Sequence, residues 1–211
     1  MVNDKTALRS RLLAARAAMS PEQRQQAALA LGRRALDLLP ELLPDGLPDG
    51  RTGVVAGYVS MGAEPGTRAL LDALRARGVR VLLPVLREDN DLDWGVYEGA
   101  EGLVRARRGL WEPGGTRLGV QAVCEAELLL MPGLAVDRHG VRLGRGGGSY
   151  DRVLERLAAA GQGRSGPRAP LVTLLYDDEV LPEVPSEPHD RPVDAAVTPS
   201  RTHVFDGATT P

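Results

Sequence analysis

The sequence holds one cysteine, Cys124, so no disulfide can close within the chain, and no Cys/His spacing resembles a zinc site. It also lacks any apolar run near the ~20 residues of a membrane span, and its N-terminus has no signal-peptide core. An excess of positive charge is missing too. The formal net charge is −2, which excludes a broad nucleic-acid or anionic-membrane surface and requires any basic site to be local. These absences predict a cytoplasmic globular protein. Lysine is the scarcest charge: of 26 basic residues, 25 are Arg and one, Lys5, is Lys. Compositional drift accounts for the ratio, and a lone surface Lys near the N-terminus is unremarkable on its own. The alternative is a position that needs a compact ammonium rather than a planar guanidinium.

What is present suits one domain spanning 1–211. Hydrophobic residues at 43% and charged residues at 26% are ordinary for a globular chain. A chain of this size buries roughly 70% of its unfolded surface. Two helices are predicted within 4–39. The first places Leu8, Leu12, Ala15 and Met19 on one face, with Arg11 and Arg16 read as solvated neighbours. The second begins at "SPEQ", with Ser20 as N-cap, Pro21 in the first turn and Gln23 closing a capping box. It is predicted to break near Leu39 in the turn-rich "PELLPDGLPDGRT".

An α/β core is predicted over 52–200, followed by a tail, 201–211. "TGVVAGYVSM" (52–61), "GTRALLDALRARG" (66–78) and "VRVLLPVL" (79–86) read as strand, helix and strand, a βαβ unit with parallel strands. "LDWGVYEG" (92–99) alternates like an exposed or edge strand. "EAELLLMPGLAVD" (125–137) contains a fully apolar strand, and 149–160 reads as a helix. "GQGRSGPRAP" (161–170) is a surface loop, with further strands at 171–176 and 194–199. The expected fold class is α/β, a three-layer α/β/α sandwich on a mainly parallel sheet.

Between strand and helix lies "GRGGGSYD". Gly144, Gly146, Gly147 and Gly148 permit crowded backbone angles and close ligand approach. Consecutive amides in such a loop, together with the N-terminus of the following helix, form an anion cradle. Arg145 adds a forked donor for phosphate. The stretch matches neither a P-loop nor a dinucleotide fingerprint. Lys5 and Arg9, four apart, share a helix face suited to clamping phosphate from the other side. Asp151 and Asp190 are magnesium candidates, since that ion takes one or two carboxylates with water and phosphate oxygens. Asp151 also suits the helix dipole, and Asp190 also suits a turn; Asp194 competes with it. Glu64, between strand and helix, equally suits a dipole role. Trp111 reads as core packing or as an aromatic wall of the site. His139 and His189 read as loop histidines.

"PGLAVDRHGVRLGRGGGSYDRVL", with "KTALR", "YVSMGAEPGT" and "PSEPHDRPVDAAVTP", resembles the 5-formyltetrahydrofolate cyclo-ligase family (methenyltetrahydrofolate synthetases). The resemblance implies a fold similar to sugar-phosphate isomerases and CoA transferases. It implies ATP- and magnesium-dependent closure of 5-formyltetrahydrofolate to 5,10-methenyltetrahydrofolate, with small-molecule partners; a monomer is expected, though nothing in the sequence reveals the oligomeric state. ATP contacts are implied at Lys5, Arg9, Arg142, Leu143, Gly144, Arg145, Gly146, Gly147, Gly148, Ser149 and Tyr150. Folate contacts are implied at Val59, Glu64, Arg145, Gly146, Gly147, Gly148 and Ser149. The metal falls to Asp151 and Asp190, and charge stabilisation to Arg145 and Lys5. Ser149 stands where the family commonly has Tyr, which removes an aromatic surface near substrate. Two other readings stay open: a noncatalytic nucleotide- or folate-binding module, and an isomerase- or transferase-like enzyme.

Overall fold

The computed structural model describes residues 2–42, 53–161, 168–187 and 190–205. Most of the predicted loops at 40–52 and 161–170, His189, and the end of the tail lie outside them. Two helices open the chain, α1 (Val2–Ala18) and α2 (Pro21–Leu42). The capping box forms as read: Ser20 N–H donates to Gln23 Oε1 at 2.8 Å, and Gln23 N–H donates to Ser20 Oγ at 3.2 Å. The helix runs past the predicted break at Leu39 and carries Pro40 in its last turn.

The βαβ unit is β1 (Val54–Ala56), α3 (Arg68–Ala76) and β2 (Arg80–Leu86), with β1 and β2 parallel and Val55 opposite Val81. An antiparallel strand, β3 (Leu92–Val96), follows β2 and forms one edge of the sheet. Its place matches the prediction but its exposure does not, because Trp94 is fully buried. A small hairpin of β4 (Leu103–Arg105) and β5 (Trp111–Pro113) follows. The apolar run then enters as β6 (Leu128–Pro132), followed by β7 (Ala135–Asp137) and β8 (Arg142–Leu143). Helix α4 (Ser149–Gly161), β9 (Leu171–Leu174), β10 (Val180–Leu181), β11 (Ala195–Val197) and β12 (Thr202–Val204) complete the order.

Seven strands form the central sheet in the order β12-β11-β9-β6-β1-β2-β3, parallel except at its two edges. Parallel strands buried on both faces need side chains that are apolar throughout, and Leu128, Leu129, Leu130 and Met131 of β6 are all buried. One face packs Leu31 and Leu38 of α2 and Leu70, Leu71 and Leu74 of α3. The other packs Val153 and Leu154 of α4 with Val123 and Trp94. Three layers result.

Helix α1 belongs to neither cover. Its Leu12 packs with Leu134, Ala135, Leu143 and Val184 on a separate three-stranded sheet, β10-β7-β8. Burying one Leu side chain fully stabilises by roughly 1.5–3 kcal/mol. The reading of this helix needs correction at Arg16, which is buried, whereas Ala15 is exposed. Arg16 Nε donates to Glu179 Oε1 at 2.5 Å, and its Nη2 reaches Glu179 Oε2 at 2.8 Å and Gly133 O at 2.7 Å. A partner 163 residues away thus takes the guanidinium inside. The anchored helix holds its first turns above the carboxyl end of β6.

Candidate active site

Open parallel sheets keep ligands outside the carboxyl ends of their strands. A cavity of about 650 Å3 lies there, reached by Tyr58 and Val59 after β1 and by Pro132 and Gly133 at the end of β6. Every residue that the resemblance assigns to ATP, folate or metal lines this one cavity. Chain positions as far apart as Lys5, Glu64, Arg145 and Asp190 therefore converge.

The glycine loop joins β8 to α4. Gly146 (φ 87°) and Gly148 (φ 73°) occupy left-handed backbone that side chains disfavour. Gly147 does not, and a Cβ added there meets no atom within 4 Å. The fold itself therefore does not require glycine at 147; the open room faces the cavity. The first turn of α4 brings Ser149, Tyr150 and Asp151 to the same wall, so the positive end of its dipole points at the ligand space. Opposite the loop, Arg9 Nε donates to Gly144 O at 3.0 Å. One turn earlier on α1, Lys5 Nζ donates to Asp190 Oδ2 at 3.0 Å and lies 3.5 Å from Glu187 Oε2. Asp190 also accepts the Glu187 N–H at 2.7 Å, so its turn-capping role and its place in the site coexist.

Beneath the loop, buried Arg142 donates through Nη1 to Pro132 O at 3.0 Å and stands 3.6 Å from Asp151. Desolvation lowers its pKa from the usual arginine value, and the Asp151 carboxylate opposes that shift. Its Nε and the Tyr150 hydroxyl are buried without a hydrogen-bond partner among the described residues. Burial raises the Tyr150 pKa, so this phenol is a neutral donor at physiological pH. Burial, with Glu64 adding to it, raises Tyr58 likewise.

Glu64 is not a helix-start carboxylate, since the first turn of α3 holds no acid. Its Oε2 accepts the Met61 N–H at 2.8 Å, and its Oε1 pairs with Arg145 Nε at 3.2 Å. The turn bearing it is fixed by Thr67, whose Oγ1 donates to Tyr58 O at 2.7 Å and accepts the Ser60 N–H at 2.9 Å. Arg145 is half exposed while Glu64 is almost covered. The pair joins the glycine loop to the turn after β1.

Asp194 is held elsewhere, by Arg168 at 2.7 and 2.8 Å and by the Leu171 N–H at 2.6 Å. It does not line the cavity, whereas Asp190 does. His139 is exposed and shares no wall with the site, as a loop histidine should. Trp111 fulfils both of its readings: it packs against the core and lines the cavity, with Arg68 and Arg105 over its ring at 5.0 and 4.8 Å. Sequence reasoning missed Tyr58, Arg108, Glu112 and Glu187, which also line it. Glu112 alone carried a signal, an acid between Trp and Pro in a strand, and the structure shows it accepting the Leu86 N–H at 2.9 Å.

The structure is thus a parallel-sheet α/β protein in which an arginine-bearing glycine loop and a helix-borne Lys/Arg pair line one cavity. The family model described as the 5-formyltetrahydrofolate cyclo-ligase family matches residues 1–199, and the chain belongs to that family. It is similar to the 5-formyltetrahydrofolate cyclo-ligase of Mycolicibacterium smegmatis, with 45% identity over 152 residues, covering 70% of this chain and 74% of the relative. It is also similar to that of Escherichia coli, with 30% identity over 188 residues, covering 88% and 95%. Among solved structures, the 5,10-methenyltetrahydrofolate synthetase of Aquifex aeolicus superposes with a TM-score of 0.73 at 25% identity, covering 98% of this chain and 96% of that one. The synthetase of Mycoplasma pneumoniae shares the fold, with a TM-score of 0.67 at 19% identity, covering 93% and 99%. Among the described residues, no helix is long and apolar enough to cross a membrane.

Proposed function

We infer that the chain is an ATP-dependent 5-formyltetrahydrofolate cyclo-ligase, forming 5,10-methenyltetrahydrofolate, ADP and phosphate. One observation carries this reading beyond family membership: a phosphate-type loop and a carboxylate suited to a pterin edge share a single cavity, linked by the Arg145–Glu64 pair. Two reactants side by side in one cavity is what a transfer between them needs.

In this assignment the loop amides from Gly144 to Gly148, with Lys5, Arg9, Arg142 and the first turn of α4, hold the ATP phosphates. Glu64 accepts hydrogen bonds from the amino-pyrimidine edge of the pterin, beside the Val59 backbone. The formyl oxygen attacks the γ-phosphorus and ADP leaves. Nitrogen 10 of the folate then attacks the activated carbon, and the ring closes as phosphate departs with the N10 proton. Arg145 reaches both partners and stabilises charge on the transferring group, and Lys5 acts on it from α1. No protein nucleophile is required.

Two cavity carboxylates, Asp151 and Asp190, fit magnesium, an ion satisfied by few protein oxygens. When bound, the ion would supply charge neutralisation on the ATP phosphates. Ser149, which left room for a noncatalytic module, lines the cavity and brings a hydroxyl to the phosphate side. The test is absorbance of the methenyl product from 5-formyltetrahydrofolate with and without ATP; absence of product with ATP and magnesium present ends this reading.

A further inference from the structure

Among the described residues, two that are not glycine have positive φ: Asn90 (62°) and Arg108 (57°). They meet. Arg108 Nη2 donates to Asn90 Oδ1 at 3.2 Å, joining the turn between β2 and β3 to the turn between β4 and β5. Asn tolerates left-handed backbone because its short amide bonds locally, but Arg has no such excuse. In the β4–β5 turn the residue after Arg108, Gly109, also has positive φ (74°), and the Leu110 N–H returns to Arg107 O. Two successive left-handed residues favour Asn-Gly or Gly-Gly. A turn selected only for folding would not hold Arg at 108.

Arg108 lines the cavity, and its side chain is exposed. It has a neutral amide for a partner, and none of the ion pairs among the described residues includes it. From the same hairpin come Leu110 and Trp111, which with Pro84, Leu86 and Leu92 make an apolar wall. Arg68 and Arg105 over the Trp111 ring add positive charge to that end. The cavity is therefore chemically divided: a phosphate-binding wall at the glycine loop, Glu64 beside it, and an apolar wall that ends in an exposed cation.

We propose that Arg108 binds the glutamate carboxylates of the folate substrate and is a specificity-determining residue of this enzyme. This rests on the cyclo-ligase reading. Once the glycine loop takes the triphosphate and Glu64 the pterin, the part of the substrate still unplaced is an apolar aromatic ring that carries an anionic amino-acid tail. The remaining wall offers that chemistry in that order: apolar side chains, then a forked donor matched to carboxylate. The strained turn holds the fork at the cavity instead of leaving it to search solvent, the kind of local cost that accompanies function.

Arg108→Gly tests this cleanly, because glycine favours the left-handed turn and keeps the hairpin. Arg108→Glu reverses the charge. Steady-state kinetics are compared on 5-formyltetrahydrofolate and on 5-formyltetrahydropteroate, which lacks the glutamate. Arg108→Gly is expected to raise the folate KM roughly three- to tenfold, the scale of one charge-assisted contact in a wet site, with the ATP KM and kcat unchanged. Arg108→Glu raises it further. On the pteroate substrate, wild type and Arg108→Gly are expected to coincide. Equal folate KM values for wild type and Arg108→Gly overturn the proposal, as does an equal rise on both substrates, which would mean that Arg108 only shapes the pocket. Either result leaves the cyclo-ligase reading standing; wild type inactive on 5-formyltetrahydrofolate with ATP removes both.

Discussion

Lys5 donates to Asp190 across 185 residues of chain, so the one lysine of the protein closes the cavity wall opposite the glycine loop. Its side chain is only 14% exposed, which separates it from a drifting surface residue. Lys5→Arg keeps the charge but cannot place a planar head at the same point. ATP-dependent turnover is expected to fall at least several-fold, with the melting temperature within about two degrees of wild type, since the contact lies at the edge of a helix anchored further on by Leu12 and Arg16. Kinetics with varied ATP decide it; identical parameters would remove α1 from the active site.

Arg145→Ala removes a half-exposed donor with no part in any core cluster. The fold should persist while catalysis weakens by roughly 2–4 kcal/mol, the scale of losing one preorganised electrostatic donor. Near-normal kcat/KM beside an unchanged melting curve would sink the phosphate-loop assignment.

Gly147 and Gly148 predict opposite behaviour. At Gly147 an added methyl meets nothing and the backbone is not left-handed, so Gly147→Ala should leave stability equal or raise it by about 0.4–1 kcal/mol. ATP binding should nevertheless weaken, because the methyl occupies the space where phosphate approaches the amides. Gly148→Ala forces a side chain onto left-handed backbone and should destabilise by roughly 1–2 kcal/mol. Calorimetry for stability and titration of ATP binding separate the two; loss of stability at 147 would contradict the geometry.

Glu64→Gln retains shape but exchanges an acceptor for a donor at the pterin edge and drops the charge paired with Arg145. The folate KM should rise much more than the ATP KM. Equal shifts would mean that this carboxylate serves chiefly to hold its turn through the Met61 N–H.

The Arg16–Glu179 pair gives a stability prediction away from the reacting atoms. Glu179 also accepts the Tyr176 N–H at 2.8 Å, so the carboxylate is fully engaged. Removing one partner, as in Glu179→Gln, leaves a buried guanidinium uncompensated and should cost about 3–5 kcal/mol. Arg16→Met with Glu179→Leu should cost less than either single change. Urea unfolding of the three variants measures this, and additive losses would show that the two side chains do not act as a pair.

The parts of this protein legible in its sequence are those governed by local rules. The Ser20–Gln23 box, the βαβ unit, the apolar run of β6 and the glycine loop each announce themselves within a dozen residues. Arg16 was misread although a signal existed: it lies four residues after Leu12, on the stripe from Leu8 to Met19, where a charge needs a buried partner. Glu179 is too distant in sequence to be seen as that partner. The strands β7, β8 and β10 have two or three residues each and pair only among themselves, too short for any alternation to register. The β4–β5 hairpin escaped because its turn carries Arg where turn chemistry favours Asn. Local sequence does not separate Asp190 from Asp194; in the fold Asp190 faces Lys5 in the cavity and Asp194 faces Arg168 outside it.

The sheet order has a consequence for synthesis from the N-terminus onward. The β2–β3 hairpin can pair as soon as it emerges, but Val55 of β1 must wait for Leu128 of β6. Lys5 waits longer still, for a partner made after nearly all the strands. A product stalled on the ribosome before residue 190 would carry both the glycine loop and α1 but not the carboxylate that fixes Lys5.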